Sequence, residues 1–186
     1  MKKNKDTKGT ERVDAVVDRL REDSALGASS RGGYSLSSAT AVPLKRRLRG
    51  RWAVSEHRLG DEPYLARFAL RALKGVELAE PEYRAEYEFR EALCIKRVEI
   101  VGSVQGADAS AEYRYRLRVA SSWDLDGPEH LSIRPELGYQ STELDGETAA
   151  VKDLDEAPDP VSVSFRFDGD SLVLEEGEDF KRLERL

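Results

Sequence analysis

One cysteine, Cys94, two widely separated histidines, His57 and His130, and no long apolar run are the scarcest features of this 186-residue chain. A single thiol excludes an internal disulfide, so the fold must rest on packing, and a reducing cytoplasm is the expected setting. Two distant histidines offer no local metal-ligand spacing. No window approaches the roughly 18 to 20 apolar residues that a membrane helix requires. The start Met1-Lys2-Lys3-Asn4-Lys5 resembles the charged end of a signal peptide, but Asp6, Glu11, Asp14, Asp18 and Arg19 interrupt every place for its apolar region, so export by that route is not expected. Gly32-Gly33 runs into Tyr34-Ser35-Leu36-Ser37 rather than a lysine and a helix, which excludes a phosphate loop. The acidic runs 153–156 and 175–179 lack calcium-loop spacing. The sequence therefore nominates no catalytic residue, no cofactor and no metal site.

Charge is present in quantity and unevenly placed. Residues 1–51 hold 13 of the 30 lysines and arginines but only 6 of the 36 aspartates and glutamates, so a basic segment precedes an acidic body. The expected division is a flexible tail over 1–44 and a domain over 45–186. Residues 1–10 have almost nothing to bury and are expected to be disordered. Val13, Val16, Val17 and Leu20 recur at helical spacing within 11–21. The Ser- and Gly-rich stretch 27–40 reads as a linker closed by Pro43. Within the basic cluster Lys45, Arg46, Arg47, Arg49 and Arg51 no aromatic is interleaved to stack on bases, so nothing points to nucleic acid. Residues 11–51 are instead a candidate docking segment for a protein partner.

Beyond Trp52 the period turns to two. Tyr83, Ala85, Tyr87 and Phe89 alternate with charged residues, as do Tyr113, Tyr115, Leu117 and Val119, and later Val161, Val163, Phe165 and Phe167 alternate with Ser162, Ser164 and Arg166. In the stretch 93–101 the apolar phase changes parity, which predicts a β-bulge near Lys96-Arg97. Asp126-Gly127-Pro128, Asp145-Gly146 and Asp168-Gly169 read as turns. Asp61, Pro63 and Gly75 bracket one amphipathic helix over 62–74, with Tyr64, Leu65, Phe68, Ala69, Ala72 and Leu73 on its apolar face. Residues 147–160 are expected to form a long acidic loop. Short, regularly punctuated strands with one inserted helix predict an all-β, antiparallel up-and-down barrel of about eight strands.

Gly50-Arg51-Trp52 ahead of the first strand, the helix after it and the late arginines Arg182 and Arg185 together resemble the calycin group, the lipocalins and fatty-acid-binding proteins. The resemblance is architectural and covers about residues 48–186; the threonine-aspartate-tyrosine motif of typical lipocalins is missing. It implies barrel closure by Gly50 and Trp52 with Arg182 or Arg185 across the indole. It also implies non-catalytic binding of a small apolar or amphipathic molecule inside the barrel. On alternation, the wall of such a cavity is Tyr83, Tyr87, Phe89, Tyr113, Tyr115, Phe165 and Phe167, with Tyr64 and Phe68 as a lid. A carrier of ordinary size needs about 300 Å³ or more of space; the competing expectation is that the same rings simply fill the core.

Overall fold

The computed structural model describes residues 38–73, 76–105, 110–154 and 159–186. The expected disorder of 1–10, the helix over 11–21 and the Gly75 helix stop lie outside them. Among the described residues two helices, α1 (Ser38–Leu48) and α2 (Tyr64–Ala72), accompany ten strands. The strands are β1 (Gly50–Leu59), β2 (Glu62–Pro63), β3 (Leu78–Phe89), β4 (Leu93–Gln105), β5 (Ser110–Leu125), β6 (His130–Leu144), β7 (Glu147–Leu154), β8 (Val161–Asp168), β9 (Ser171–Glu176) and β10 (Asp179–Arg185).

Eight of the strands close on themselves in the order β1-β3-β4-β5-β6-β8-β9-β10, and β10 returns to pair with β1 from Trp52 opposite Arg185 to Leu59 opposite Asp179. Every pairing is antiparallel, so this is the all-β barrel that the alternation predicts. Closure leaves none of these eight strands as a bare edge. The other two strands flank the wall: β2 pairs with the end of β1, and β7 with the second half of β6.

The elements depart from expectation in four places. The helix α1 begins at Ser38 and runs through Pro43, where a linker ends in the sequence reading; the proline removes only one intrahelical donor. The inserted helix is shorter than 62–74, because Glu62 and Pro63 are drawn into pairing with Leu59 and Arg58, and Pro63 caps it without a side-chain hydrogen bond. The acidic stretch after Gly146 is not all loop: 147–154 is strand β7. Finally, β4 pairs with β3 and β5 through Lys96 and Arg97 with no break in register, so no bulge lies there.

A bulge does lie in β1. Val54 is opposite Leu183 and Glu56 is opposite Arg182, which leaves Ser55 as the extra residue. Simple alternation from Trp52 would point Glu56 and Arg58 into the barrel. The additional residue reverses the phase and turns His57 and Leu59 inward instead.

Two apolar clusters fill the ends. At one end, Trp52, Phe89, Trp123, Leu131, Phe165, Leu172 and Leu183 pack together, with Leu48 brought in by α1. At the other, Phe68 of α2 packs on Ala85, Val98, Ile100, Tyr113 and Tyr115. A small third cluster, Leu93, Ile95, Ala120 and Tyr139, sits on the outer face of β4, β5 and β6.

Candidate functional site

Trp52 is 1% exposed, and its indole Nε1 donates to the Leu48 carbonyl at 2.8 Å. The Arg185 guanidinium lies 4.6 Å from the Trp52 ring centre and donates to the Arg47 carbonyl. These two side chains therefore satisfy carbonyls that the last turn of α1 would otherwise leave without donors. Gly50 enters β1 at φ +127°, a conformation that glycine adopts without strain. Arg182 points elsewhere and bonds Asp168 at 2.8 Å.

The basic cluster is folded onto the chain's own body. Lys45 pairs with Asp124 at 2.6 Å, Arg49 with Glu91 at 3.0 Å and Arg51 with Glu86 at 2.8 Å, while Arg47 lies 3.8 Å from the Phe167 ring centre. An open groove of about 820 Å³ runs along α1 past Val42, Pro43, Arg46, Asp170 and Glu184. On the outer wall Arg97 bonds Glu88, and Arg116 bonds Glu99 and Glu143, so the charged ladders cross-pair between strands.

Between the two apolar clusters the barrel holds a cavity of about 190 Å³. Register places its polar lining. Lys96 on β4 is opposite Tyr87 on one side and Val119 on the other, and Lys181 on β10 lies between His57 and Leu174. Asp179, Glu176, Cys94 and Ser121 complete the polar part; Val119, Ile133, Pro135, Val161, Val163 and Leu174 form the apolar part. The cavity lies where the wall forks, because β6 pairs with β8 only through Ile133 and beyond Gly138 runs beside β7.

A hydrogen-bonded chain organises the polar side. His57 Nε2 meets Asp179 Oδ1 at 2.8 Å, His57 Nδ1 meets Tyr83 Oη at 2.6 Å, and Lys181 Nζ donates to the second oxygen of Asp179. Tyr64 stacks on the imidazole at 4.0 Å. Burial lowers the His57 pKa and outweighs its bond to Asp179. A neutral ring in this setting donates from Nε2 to Asp179 and accepts at Nδ1 from Tyr83. Burial alone would raise Asp179, but the His57 bond and the Lys181 charge together hold it at about 2. Burial pushes the Cys94 thiol up to about 12, so it stays protonated. The Tyr83 and Tyr87 phenols are raised for the same reason.

Lys96 differs from its neighbours. Half-buried at the edge of the cavity, its ammonium makes no hydrogen bond or ion pair among the described residues, and the Tyr87 ring centre lies 5.8 Å from it. Burial first, and then the neighbouring Lys181 charge, bring it down to about 8. Of the two carboxylates that line the cavity, Asp179 is already shared between His57 and Lys181, and Glu176 is exposed.

Of the nine aromatics expected to line a cavity, Tyr87 borders this one. Tyr64, Phe68, Tyr83, Tyr113 and Tyr115 pack on one another around α2, with Phe68 and Tyr115 at 4.9 Å. Phe89 packs edge-on against Trp123 at 5.3 Å, and Phe165 edge-on against Phe167 at 6.0 Å, in the cluster at the Trp52 end. Sequence reasoning missed Lys96, Lys181, Asp179 and Glu176. The signal was the parity change at Lys96: Cys94, Lys96, Val98 and Ile100 all face inward, and the charge in that row hid the alternation.

Comparison with known proteins gives no match to a family model, to a curated protein or to a solved structure. The class that the structure defines is a closed eight-stranded antiparallel β-barrel, an architecture compatible with the calycin-like one. No helix among the described residues is long and apolar enough to cross a membrane.

Proposed function

We propose that the barrel binds a compact amphipathic molecule, its electron-rich end on Lys96 and a short apolar body against Val119, Ile133, Val161, Val163 and Leu174. The observation that carries this reading is the Lys96 ammonium, turned into the cavity without an ion-pair partner among the described residues and facing an apolar wall. A charge drawn partly out of water without a partner is costly unless something completes it. At about 190 Å³ the space falls below the ~300 Å³ of an ordinary small-molecule pocket, so a long lipid is set aside in favour of a ligand of a few carbons. Docking of a partner through residues 11–51 receives less support, since Lys45, Arg49 and Arg51 are engaged with acidic residues of the same chain.

Butyrate is a suitable probe. Titrated into the isotopically labelled chain at pH 7, it is expected to shift amide resonances of Lys96, Val119 and Val163, and Lys96→Met should weaken it by about tenfold or more, the cost of one charge-assisted contact. Binding should decline as pH rises through about 8, where Lys96 loses its charge. Lys181, Asp179, Glu176, His57, Tyr83, Tyr87 and Cys94 are the other titratable groups around it, and none of those with a resolved shift is driven toward pH 8. No resonance shift, or an affinity indifferent to Lys96→Met, counts against the reading.

A further inference from the structure

We propose that Lys96 captures small aliphatic aldehydes or ketones in the barrel cavity as a reversible imine, an inference that rests on the reading of this cavity as a binding site. Four features of the site combine here. A nucleophilic amine has to reach its electrophile, and Lys96 borders the cavity directly. It must not be locked in an ion pair, and no carboxylate bonds it among the described residues. Its unprotonated form has to be favoured, and both burial and the adjacent Lys181 do so. With Lys96 at about 8, about half of it is neutral at pH 8, against under about one in a hundred for an ordinary lysine. The alkyl group of the electrophile also needs an apolar surface, and six apolar side chains line one side of the space.

The neighbours fit the proton traffic. Addition of the Lys96 lone pair to the carbonyl carbon makes the C–N bond as the C=O pair moves to oxygen. The nitrogen gives up one proton and the oxygen takes one, forming the carbinolamine. The Lys181 ammonium, held in the same wall by Asp179, gives a second proton to the hydroxyl; the C–O bond breaks, water leaves, and the iminium returns its proton to Lys181. The balance is amine plus carbonyl to imine plus water, with no change of oxidation state. The inward Cys94 does not compete, because burial keeps it a thiol. The limited volume restricts the substrate to a few carbons, and the apolar wall favours an alkyl chain over a sugar.

The test uses the full chain with butanal and sodium cyanoborohydride at pH 8, with the alkylated lysines located over time by peptide mass mapping. Lys96, about half neutral at this pH, is expected to gain one butyl group about tenfold or more faster than the exposed Lys152. Butyrate should slow Lys96 and leave Lys152 unchanged, a comparison that needs no variant. Lys96→Arg, unable to form an imine, should lose the fast site altogether. Labelling of Lys96 no faster than of Lys152 overturns the proposal. If butyrate still binds in that case, only the imine is refuted; if butyrate does not bind either, the cavity reading falls with it.

Discussion

At the scale of single residues, Lys96 concentrates the consequences. Its neutral isostere methionine keeps the stem in place and removes a half-buried charge that has no ion-pair partner among the described residues. Lys96→Met is therefore expected to raise the melting temperature of the ligand-free chain at pH 7, by an amount corresponding to about 1 to 3 kcal/mol. The sign of the pH dependence follows from the lowered pKa. Between about 8 and the ordinary 10.5 the unfolded chain binds this proton more tightly than the folded one, so the wild-type penalty fades as pH rises through that window. Thermal melts of both proteins from pH 7 to 10.5 should show the methionine advantage shrinking; an advantage constant with pH would mean that Lys96 is already neutral or already paired. Asp179 acts in the acid range. Its folded pKa lies below the unfolded one, so its contribution is complete above about 4 and is lost as pH falls toward about 2, which Asp179→Asn should remove from the acid melting curve.

At the scale of elements, α1 is held by side chains that belong to the barrel. The Trp52 indole and the Arg185 guanidinium both donate to the carbonyls of its last turn, and Lys45 reaches Asp124. Arg185→Ala removes one such donor and the cation over the indole, which should cost about 1 kcal/mol. Hydrogen exchange should quicken at the amides of 45–49 while those of β4 and β5 stay protected; uniform quickening would mean instead that α1 and the barrel open together. Elements were unequally legible in the sequence. The strands β3, β5 and β8 announce themselves because each has one wet and one dry face, and Asp145-Gly146 and Asp168-Gly169 supply turns whose glycines take φ +77° and +61°. Helix α1 was hidden because Pro43 and the neighbouring serines imitate a linker, and its C-terminal carbonyls are satisfied by residues 4 and 138 positions away along the chain. The bulge at Ser55 left no local mark either, since it exists only as a mismatch between β1 and β10.

For the whole molecule, closure is the governing fact. Pairing of β10 with β1 joins the last strand to the first, buries Leu183 beside Val54 and completes the polar wall with Lys181 and Asp179. Truncation after Glu176 should therefore abolish more than one strand's worth of stability: β1 and β9 become bare edges, and size-exclusion chromatography should show aggregation rather than a folded monomer. The amino-acid sequence by itself determined the all-β class, the approximate strand number and the burial pattern of most strands, because period-two alternation and turn residues are local properties of the chain. Which strand lies beside which, and hence which charged side chains face one another inside the barrel, was decided only by the tertiary structure. Lys96, His57, Asp179 and Lys181 come from β4, β1 and β10, and an inward lysine is indistinguishable from an outward one until the register fixes its phase and closure removes the water around it.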